Sequence, residues 1–251
     1  MGKIRFSSSY KKVFKDIMKN SVTNFYGRKL GRLSLLAKDL LQNLLPTYAL
    51  LKSDLQSGNF SKITKPFEEL NLEIGFGSGD FLWQNAGQYP KNFYLGVEVF
   101  QSGIATLLGN LQNKPLANLK IYPNSLYDIL ELLPVDSFNN IYVLFPDPWF
   151  KARHHKRRII NSNNLQIFAK LLKNGGNLII ASDVASYITW TLEKLQQDNW
   201  QIKHYTNHEI GNNPNNNFKI QLQTRYEQKA IQAGRTVTYI YAKKCSNKIN
   251  S

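Results

Sequence analysis

The chain has 251 residues, is 42% hydrophobic and 20% charged, and carries a net charge of +15, which is typical of a folded, basic globular protein. No stretch approaches the roughly 18 apolar residues of a membrane span, and the first twenty residues lack the apolar run of a secretory signal. The single cysteine, Cys245, excludes a disulfide scaffold or a cysteine metal cluster, so a reducing, cytoplasmic location is expected.

The N-terminal quarter of the chain holds most of the excess charge. Residues 1–65 contain 13 Lys and Arg against 3 Asp and Glu, whereas residues 66–251 contain 19 against 14. The 24 Lys and 27 Asn also fit the bias of an AT-rich genome, but a bias does not explain this uneven placement. The asymmetry therefore predicts a basic N-terminal extension that binds a polyanion. We expect it to hold one amphipathic helix at 32–44, ended by Pro46, with the rest loosely held.

Strands and helices alternate from about residue 70 onward. The predicted strands are 71–76, 93–99, 118–123, 139–146, 175–182, 200–205 and 236–243. The predicted helices are 79–89, 101–112, 125–133, 161–173 and 184–198. This alternation predicts an α/β domain over 66–245 with a mostly parallel sheet, followed by a polar tail at 246–251. The last two strands have no clear helix between them and could pair antiparallel at one edge, and the ligand crevice is expected at the carboxyl ends of the strands.

A glycine-rich loop follows the first predicted strand, in the segment LEIGFGSGDF. Gly75, Gly77 and Gly79 permit a tight turn and a close approach of the backbone to a ligand. The dinucleotide fingerprint requires a third glycine one residue later, where this chain has Asp80. Glu73 would repel a phosphate but attract a cation, so the loop favours S-adenosylmethionine over a nicotinamide cofactor.

Two further strand ends carry polar side chains. Glu98 ends the second strand, where a carboxylate accepts hydrogen bonds from the ribose of a bound nucleoside. Asn124 ends the third strand, where its amide has two equally plausible roles: contact with adenine, or an ordinary cap for the helix near Ser125.

The segment FPDPWFKARHHKRR follows the fourth strand. Pro146 and Pro148 stiffen the loop and hold Asp147 at the crevice. Trp149 either stacks on a base or packs within the protein. The five cations that follow predict a surface that binds phosphates, and they are Lys151, Arg153, Lys156, Arg157 and Arg158. The adjacent pair His154 and His155 lacks useful metal-ligand spacing, so no metal is expected.

Two more carboxylates could accept hydrogen bonds from the N1–H and N2 amino groups of guanine. Asp183 ends the fifth strand, and Glu227 closes the segment Thr224-Arg225-Tyr226-Glu227 before the last strand. From spacing alone, a helix cap or a surface charge remains open for both.

With these motifs in this order, the sequence resembles the bacterial tRNA (guanine-N7)-methyltransferase family over about residues 70–240. The run PDPWFKARHHKRR carries the resemblance most specifically, and NFYGRKLGRLS at 24–34 is similar to the basic stretch that precedes the domain in some members. The resemblance implies a Rossmann-like methyltransferase fold with an antiparallel last strand. It implies methylation of guanine N7 in the variable loop of tRNA.

The resemblance also implies roles for individual residues. Residues around the cofactor S-adenosylmethionine would be Glu73, Gly75, Glu98, Asn124 and Asp147. Asp147 would be the catalytic residue. Residues that contact the tRNA or its guanine would be Lys151, Asp183, Thr224, Arg225, Tyr226 and Glu227.

Two other functions remain open on the sequence. One is a methyltransferase that acts on another RNA base. The other is a basic RNA-binding or ribosome-associated module with an inactive cofactor pocket, although intact Glu73, Gly75 and Asp147 argue against decay. The oligomeric state is not determined, and a monomer is one option.

Overall fold

The computed structural model describes residues 33–207 and 224–244. Seven strands form one sheet in the order β3-β2-β1-β4-β5-β7-β6. The strands are β1 (Glu69–Ile74), β2 (Asn92–Val97), β3 (Leu119–Tyr122), β4 (Phe138–Leu144), β5 (Leu172–Ser182), β6 (Gln201–Thr206) and β7 (Thr238–Lys243). The α-helices are α1 (Leu35–Asn43), α2 (Leu45–Tyr48), α3 (Lys52–Gln56), α4 (Asn59–Thr64), α5 (Asp80–Gln88), α6 (Gln101–Asn113), α7 (Ser162–Leu171), α8 (Ala185–Gln197) and α9 (Arg225–Gln232).

The sheet is parallel except for its last strand in sequence. β1 pairs in parallel with β2 and β4, whereas β7 lies antiparallel between β5 and β6. This confirms the predicted Rossmann-like sheet with an antiparallel last strand and the antiparallel pairing of the final two strands. The strand order reverses at β1, so the carboxyl ends of β1 and β4 border the crevice where α/β proteins of this kind bind ligands.

Helices cover both faces of the sheet. One buried cluster packs Leu72 of β1 and Ile141 of β4 against Phe168 of α7 and Tyr187 of α8. A second packs the other side of the fold, and its members include Leu40 of α1, Leu82 of α5, Leu107 of α6 and Ile121 of β3. Burial on both faces explains why the parallel strands read as nearly continuous apolar runs in the sequence.

Residues 45–64 are more ordered than the sequence suggests. The predicted first helix is present as α1, with Ser34 as its N-cap, and it ends before Pro46, which lies in the first turn of the next helix, α2. Leu50 and Phe60 are buried in the main core. The expectation that this stretch is loosely held is therefore wrong, because isolated apolar residues of short helices bury against the sheet without a helical repeat long enough to detect.

Helix α9 is a second difference, because the sequence shows no clear helix between the last two strands. Thr224 caps its first turn by accepting a hydrogen bond from the Glu227 N–H at 3.0 Å. Within 33–207 and 224–244, no helix is long and apolar enough to cross a membrane. The basic stretch before residue 33, the Asn-rich segment GNNPNNN at 211–217 and the polar residues 246–251 lie outside the described residues.

Candidate active site

The glycine loop turns sharply at the end of β1. Gly75, Gly77 and Gly79 all have left-handed φ angles, of 70°, 58° and 75°. Gly77 also lies directly against α6, since a Cβ added at Gly103 would come within 2.1 Å of the Gly77 carbonyl oxygen. Position 103 therefore requires glycine for lack of space, and position 77 favours glycine because of its positive φ, so the loop backbone is left facing the crevice.

Glu98 ties the loop to the second strand. Its Oε2 accepts the Gly77 N–H at 2.7 Å, and its Oε1 accepts the N–H groups of Val99 and Phe100 at 2.7 and 2.9 Å. Burial raises the pKa of the Glu98 carboxyl, and the three backbone donors oppose that rise. Oε2 keeps a free lone pair, so the carboxylate can still accept a hydroxyl from a ligand.

Glu73 differs from Glu98 because one of its oxygens has no hydrogen-bond partner in the described part of the chain. The residue is 3% exposed, and its Oε2 makes no hydrogen bond with any described residue. Burial, with the nearby Glu98 and Asp80 carboxylates, raises the pKa of Glu73 well above its usual value. A buried carboxyl of this kind is costly unless a ligand with a donor or a positive charge completes it.

A cavity of about 300 Å³ opens at the carboxyl ends of the strands. Four carboxylates line it, and they belong to Glu73, Asp80, Glu98 and Asp147. The four carboxyl groups outnumber the two guanidinium groups in the same wall, those of Arg157 and Arg225, so the cavity suits a cationic ligand better than a phosphate. The predicted site residues Gly75, Asn124, Thr224, Arg225 and Tyr226 also line the cavity.

Three predicted site residues lie outside the cavity wall: Lys151, Asp183 and Glu227. The Asp183 Oδ2 pairs with the Arg235 Nε at 2.7 Å. Glu227 accepts a hydrogen bond from the Tyr239 hydroxyl. Burial raises the pKa of Glu227, and the hydroxyl donor opposes this rise. Sequence reasoning missed both partners, because neither Arg235 nor Tyr239 belongs to a recognisable motif.

The expected cap role of Asn124 is wrong, whereas its expected contact with adenine stays a prediction. Its side-chain oxygen accepts the N–H of the next residue, Ser125, at 2.9 Å, and the same residue lines the cavity. Ser125, and not Asn124, caps the 3₁₀-helix Leu126–Asp128 by accepting the Tyr127 N–H.

The loop after β4 brings Asp147 to the cavity. Phe145 and Trp149 flank it with left-handed φ angles of 51° and 45°, which non-glycine residues rarely adopt. The Trp149 ring contacts the basic segment, with the Arg157 guanidinium carbon 5.0 Å and the His154 ring 5.8 Å from its centroid. Trp149 therefore packs within the protein and also forms part of the cavity wall.

Tyr226 lies over the cavity mouth. It is 57% exposed and stacks on Phe145 with ring centroids 6.3 Å apart and an interplanar angle of 21°. Its ring edge also comes within 3.8 Å of the place a Cβ would occupy on Gly77. Tyr226 thus bridges the loops after β1 and β4. Helix α9, which the sequence pattern does not predict, places it there.

The basic segment after Asp147 forms a 3₁₀-helix over Ala152–Arg157. Lys151, Arg153 and Lys156 are exposed, as a phosphate-binding surface requires. Arg158 is only 2% exposed, so its predicted place on this surface is wrong. Its side chain turns inward to donate a hydrogen bond to the Pro148 carbonyl at 2.9 Å. No group of three or more His, Cys, Asp or Glu side chains in the described part of the chain could hold a metal.

Several solved methyltransferases have the same architecture. A 16S rRNA adenine methyltransferase from Catenulisporales acidiphilia, described with its cosubstrate SAM, matches with a TM-score of 0.55 over 80% of this chain and 95% of that chain, at 15% identity. An antibiotic-related methyltransferase matches with a TM-score of 0.54 over 77% of this chain and 93% of that chain, at 17% identity. The fold is thus that of the Rossmann-like, S-adenosylmethionine-dependent methyltransferases.

Sequence comparisons narrow this class to a family. A family model described as a putative methyltransferase matches residues 68–240. A tRNA (guanine-N(7)-)-methyltransferase of Brucella anthropi is 36% identical over 225 residues, which cover 86% of this chain and 93% of the relative. A bifunctional methyltransferase of Rickettsia prowazekii is 36% identical over 227 residues, which cover 90% of this chain but 41% of the relative. The chain belongs to the tRNA (guanine-N7-)-methyltransferase family.

Proposed function

We propose that this protein methylates N7 of a guanine in the variable loop of tRNA and uses S-adenosylmethionine as the methyl donor. The observation that carries the proposal is a buried Glu73 oxygen, with no hydrogen-bond partner among residues 33–207 and 224–244, in a cavity that also presents Asp147. Family membership supports the same substrate, because the Brucella relative is named for guanine N7 of tRNA.

The residues present fit the proposed cofactor. S-adenosylmethionine, when bound, supplies a methyl group on a positively charged sulfonium and presents an ammonium group. Glu73 would accept a hydrogen bond from the ammonium group, and Glu98 would accept one from a ribose hydroxyl with its remaining lone pair. The backbone of the loop at Gly75 would contact the amino-acid portion, and Asn124 would contact adenine through the part of its amide not used on Ser125.

The chemistry demands little of the protein beyond placement and charge. Guanine N7 carries a lone pair and no proton, so the reaction needs no general base. Holding the reactants in line can supply up to about 7–11 kcal/mol of the barrier. The guanine ring gains positive charge as the bond forms, and the Asp147 carboxylate at the cavity would stabilise that charge.

Recognition of the guanine falls to the groups around the cavity mouth. Tyr226, already stacked on Phe145, offers an aromatic face to a base that leaves its stack. Asp183 and Glu227 would accept hydrogen bonds from the N1–H and N2 amino groups of the guanine. Arg235 sets the orientation of the Asp183 carboxylate, and Tyr239 sets that of Glu227. Thr224 and Arg225 lie at the start of the same helix and border the same mouth.

Binding of the tRNA backbone falls to the exposed cations. Lys151 lies four residues after Asp147, with Arg153 and Lys156 exposed beyond it. The basic extension over residues 1–65 would add to this surface through its net charge of +10. We also propose a cytoplasmic location, where unmodified tRNA is available.

The test is transfer of labelled methyl from S-adenosylmethionine to an unmodified tRNA transcript, followed by nucleoside analysis. We expect 7-methylguanosine from the wild type and, at saturating cofactor, a rate about 100-fold lower from Asp147→Asn. Another methylated nucleoside would contradict the proposed base, and bound tRNA without transfer would favour the binding-module alternative. A wild-type rate in Asp147→Asn would refute the role of Asp147.

A further inference from the structure

Arg158 belongs to the basic segment in sequence but to the interior in structure. It is 2% exposed, whereas Lys151, Arg153 and Lys156 of the same segment are exposed. Its guanidinium stays protonated at neutral pH, and it forms no ion pair with any carboxylate of the described residues. Burying such a charge is unfavourable unless specific contacts compensate for the lost water.

The compensating contacts all fix the orientation of the guanidinium. The Nε–H donates to the Pro148 carbonyl oxygen at 2.9 Å. The guanidinium carbon lies 4.9 Å from the ring centroid of Trp190 and 5.5 Å from that of Tyr187, one turn apart on α8. Trp190 is itself held, since its indole N–H donates to the Ile160 carbonyl at 2.8 Å. Arg158 therefore connects a rigid helix to the loop after β4.

The loop needs such a connection because its backbone is strained at both ends. Phe145 and Trp149 have positive φ angles, a conformation that persists only where the surroundings impose it. The Phe145 end is held by its N–H bond to the Ala181 carbonyl at 2.8 Å. The Trp149 end is held by Arg158, which binds the carbonyl oxygen of Pro148, the residue directly before Trp149. Asp147 lies between these two anchor points.

We propose that Arg158 is a positioning residue, which holds Asp147 in place through the Pro148 carbonyl and does not bind tRNA phosphates. This inference rests on the proposed function, in which Asp147 stabilises the developing charge on guanine. Its mechanism is indirect, because Arg158 touches the loop and the aromatic rings but does not line the cavity. Loss of the guanidinium should therefore slow methyl transfer without lowering the affinity for tRNA.

The first experiment replaces the guanidinium and separates turnover from binding. We expect Arg158→Met to lower kcat by about 100-fold, the scale set by misplacing a catalytic group by about 1 Å, while KM for tRNA changes less than about twofold. The salt dependence of tRNA binding should be unchanged. Arg153→Met is the matched control on the exposed side, and it should raise KM and reduce the salt slope. A raised KM with normal kcat in Arg158→Met would overturn the inference.

A double-mutant cycle with Asp147→Asn gives a readout that a purely structural role would not move. If Arg158 acts through Asp147, the double variant should be no slower than Asp147→Asn alone, whereas multiplied losses would overturn the inference. Arg158→Lys replaces Arg158→Met in these experiments if Arg158→Met fails to fold. This variant keeps the positive charge but lacks the Nε–H, so the same loss of kcat is expected. A wild-type kcat in Arg158→Lys would contradict the inference. A wild-type rate in Asp147→Asn would instead remove the proposed role of Asp147.

Discussion

Replacing Glu73 with glutamine tests the cofactor pocket at its most unusual group. The substitution keeps the size and shape of the side chain but replaces one carboxylate oxygen with an uncharged NH₂ group, so the side chain can no longer carry a negative charge. In the structure, one Glu73 oxygen is buried and has no partner among the described residues. The side chain therefore contributes nothing favourable through that oxygen until a ligand arrives, and the variant should separate ligand binding from folding.

The loss of cofactor affinity should be large. Removing one partner of a buried, hydrogen-bonded charge pair costs about 2–5 kcal/mol, which corresponds to about 30- to 4,000-fold weaker binding. Glu69→Gln is the matched control, since Glu69 lies at the opposite end of β1 and already has a partner in the Asn92 side-chain amide at 3.0 Å. Its cofactor affinity should match that of the wild type.

The stability of the cofactor-free protein should change in the opposite direction, and with pH. Because folding raises the pKa of Glu73, the folded state binds its proton more tightly than the unfolded state does. The stabilisation from that proton is full below the unfolded pKa and is lost as pH rises through the folded pKa. Glu73→Gln does not titrate, so its thermal midpoint should rise relative to the wild type as the pH increases above the ordinary value of 4.5. The shift should be a few degrees, at roughly 2–4 °C per kcal/mol.

Calorimetric titration with S-adenosylmethionine, together with thermal unfolding across this pH range, measures both effects. Cofactor affinity of the wild type should increase with pH, since the bound ammonium requires the ionised Glu73 carboxylate. The reasoning is refuted if Glu73→Gln binds within about threefold of the wild type. It is also refuted if the difference between the two thermal midpoints does not vary with pH.

Two further predictions concern the glycine loop and the basic surface. Gly103→Ala should weaken cofactor binding, because its Cβ would come within 2.1 Å of the Gly77 carbonyl oxygen. Gly109→Ala on the same helix meets nothing closer than 4.0 Å, so it should leave the stability unchanged or raise it by up to about 1 kcal/mol. Thermal shift with and without cofactor checks both variants, and equal behaviour of the two would contradict the packing argument. Lys151→Met should weaken tRNA binding and lower the slope of log affinity against log salt by about 0.7–0.9, measured by filter binding; an unchanged slope would show that Lys151 contacts no phosphate.

The sequence predicts the sheet and the cavity well because both depend on local signals. Apolar runs that end in Glu73, Glu98 and Asp147 identify parallel strands, and the carboxyl ends of parallel strands meet at one edge. The seven strands therefore lie where the pattern places them, within a few residues. Strand β5 starts earlier than predicted, at Leu172, because Leu172 pairs with Phe138 across an irregular stretch of β4.

The features missed by the sequence depend on contacts between distant segments. Helix α9 buries only Ala230 among its residues, so it offers no apolar repeat to detect. The ion pair of Asp183 with Arg235 joins residues 52 positions apart, and no local spacing reveals it. Arg158 follows several exposed cations and differs from them only because Tyr187 and Trp190 lie where it turns inward.

The nucleophilic atom is the central claim, and replacing it in the tRNA tests that claim most directly. Single-turnover transfer of labelled methyl would be compared between an ordinary transcript and one made with 7-deazaguanosine, in which a C–H group replaces N7. We predict that the wild-type protein binds both transcripts but labels only the ordinary one, on guanosine. Equal labelling of the 7-deazaguanosine transcript would contradict the account, because the methyl group would then reside on another atom.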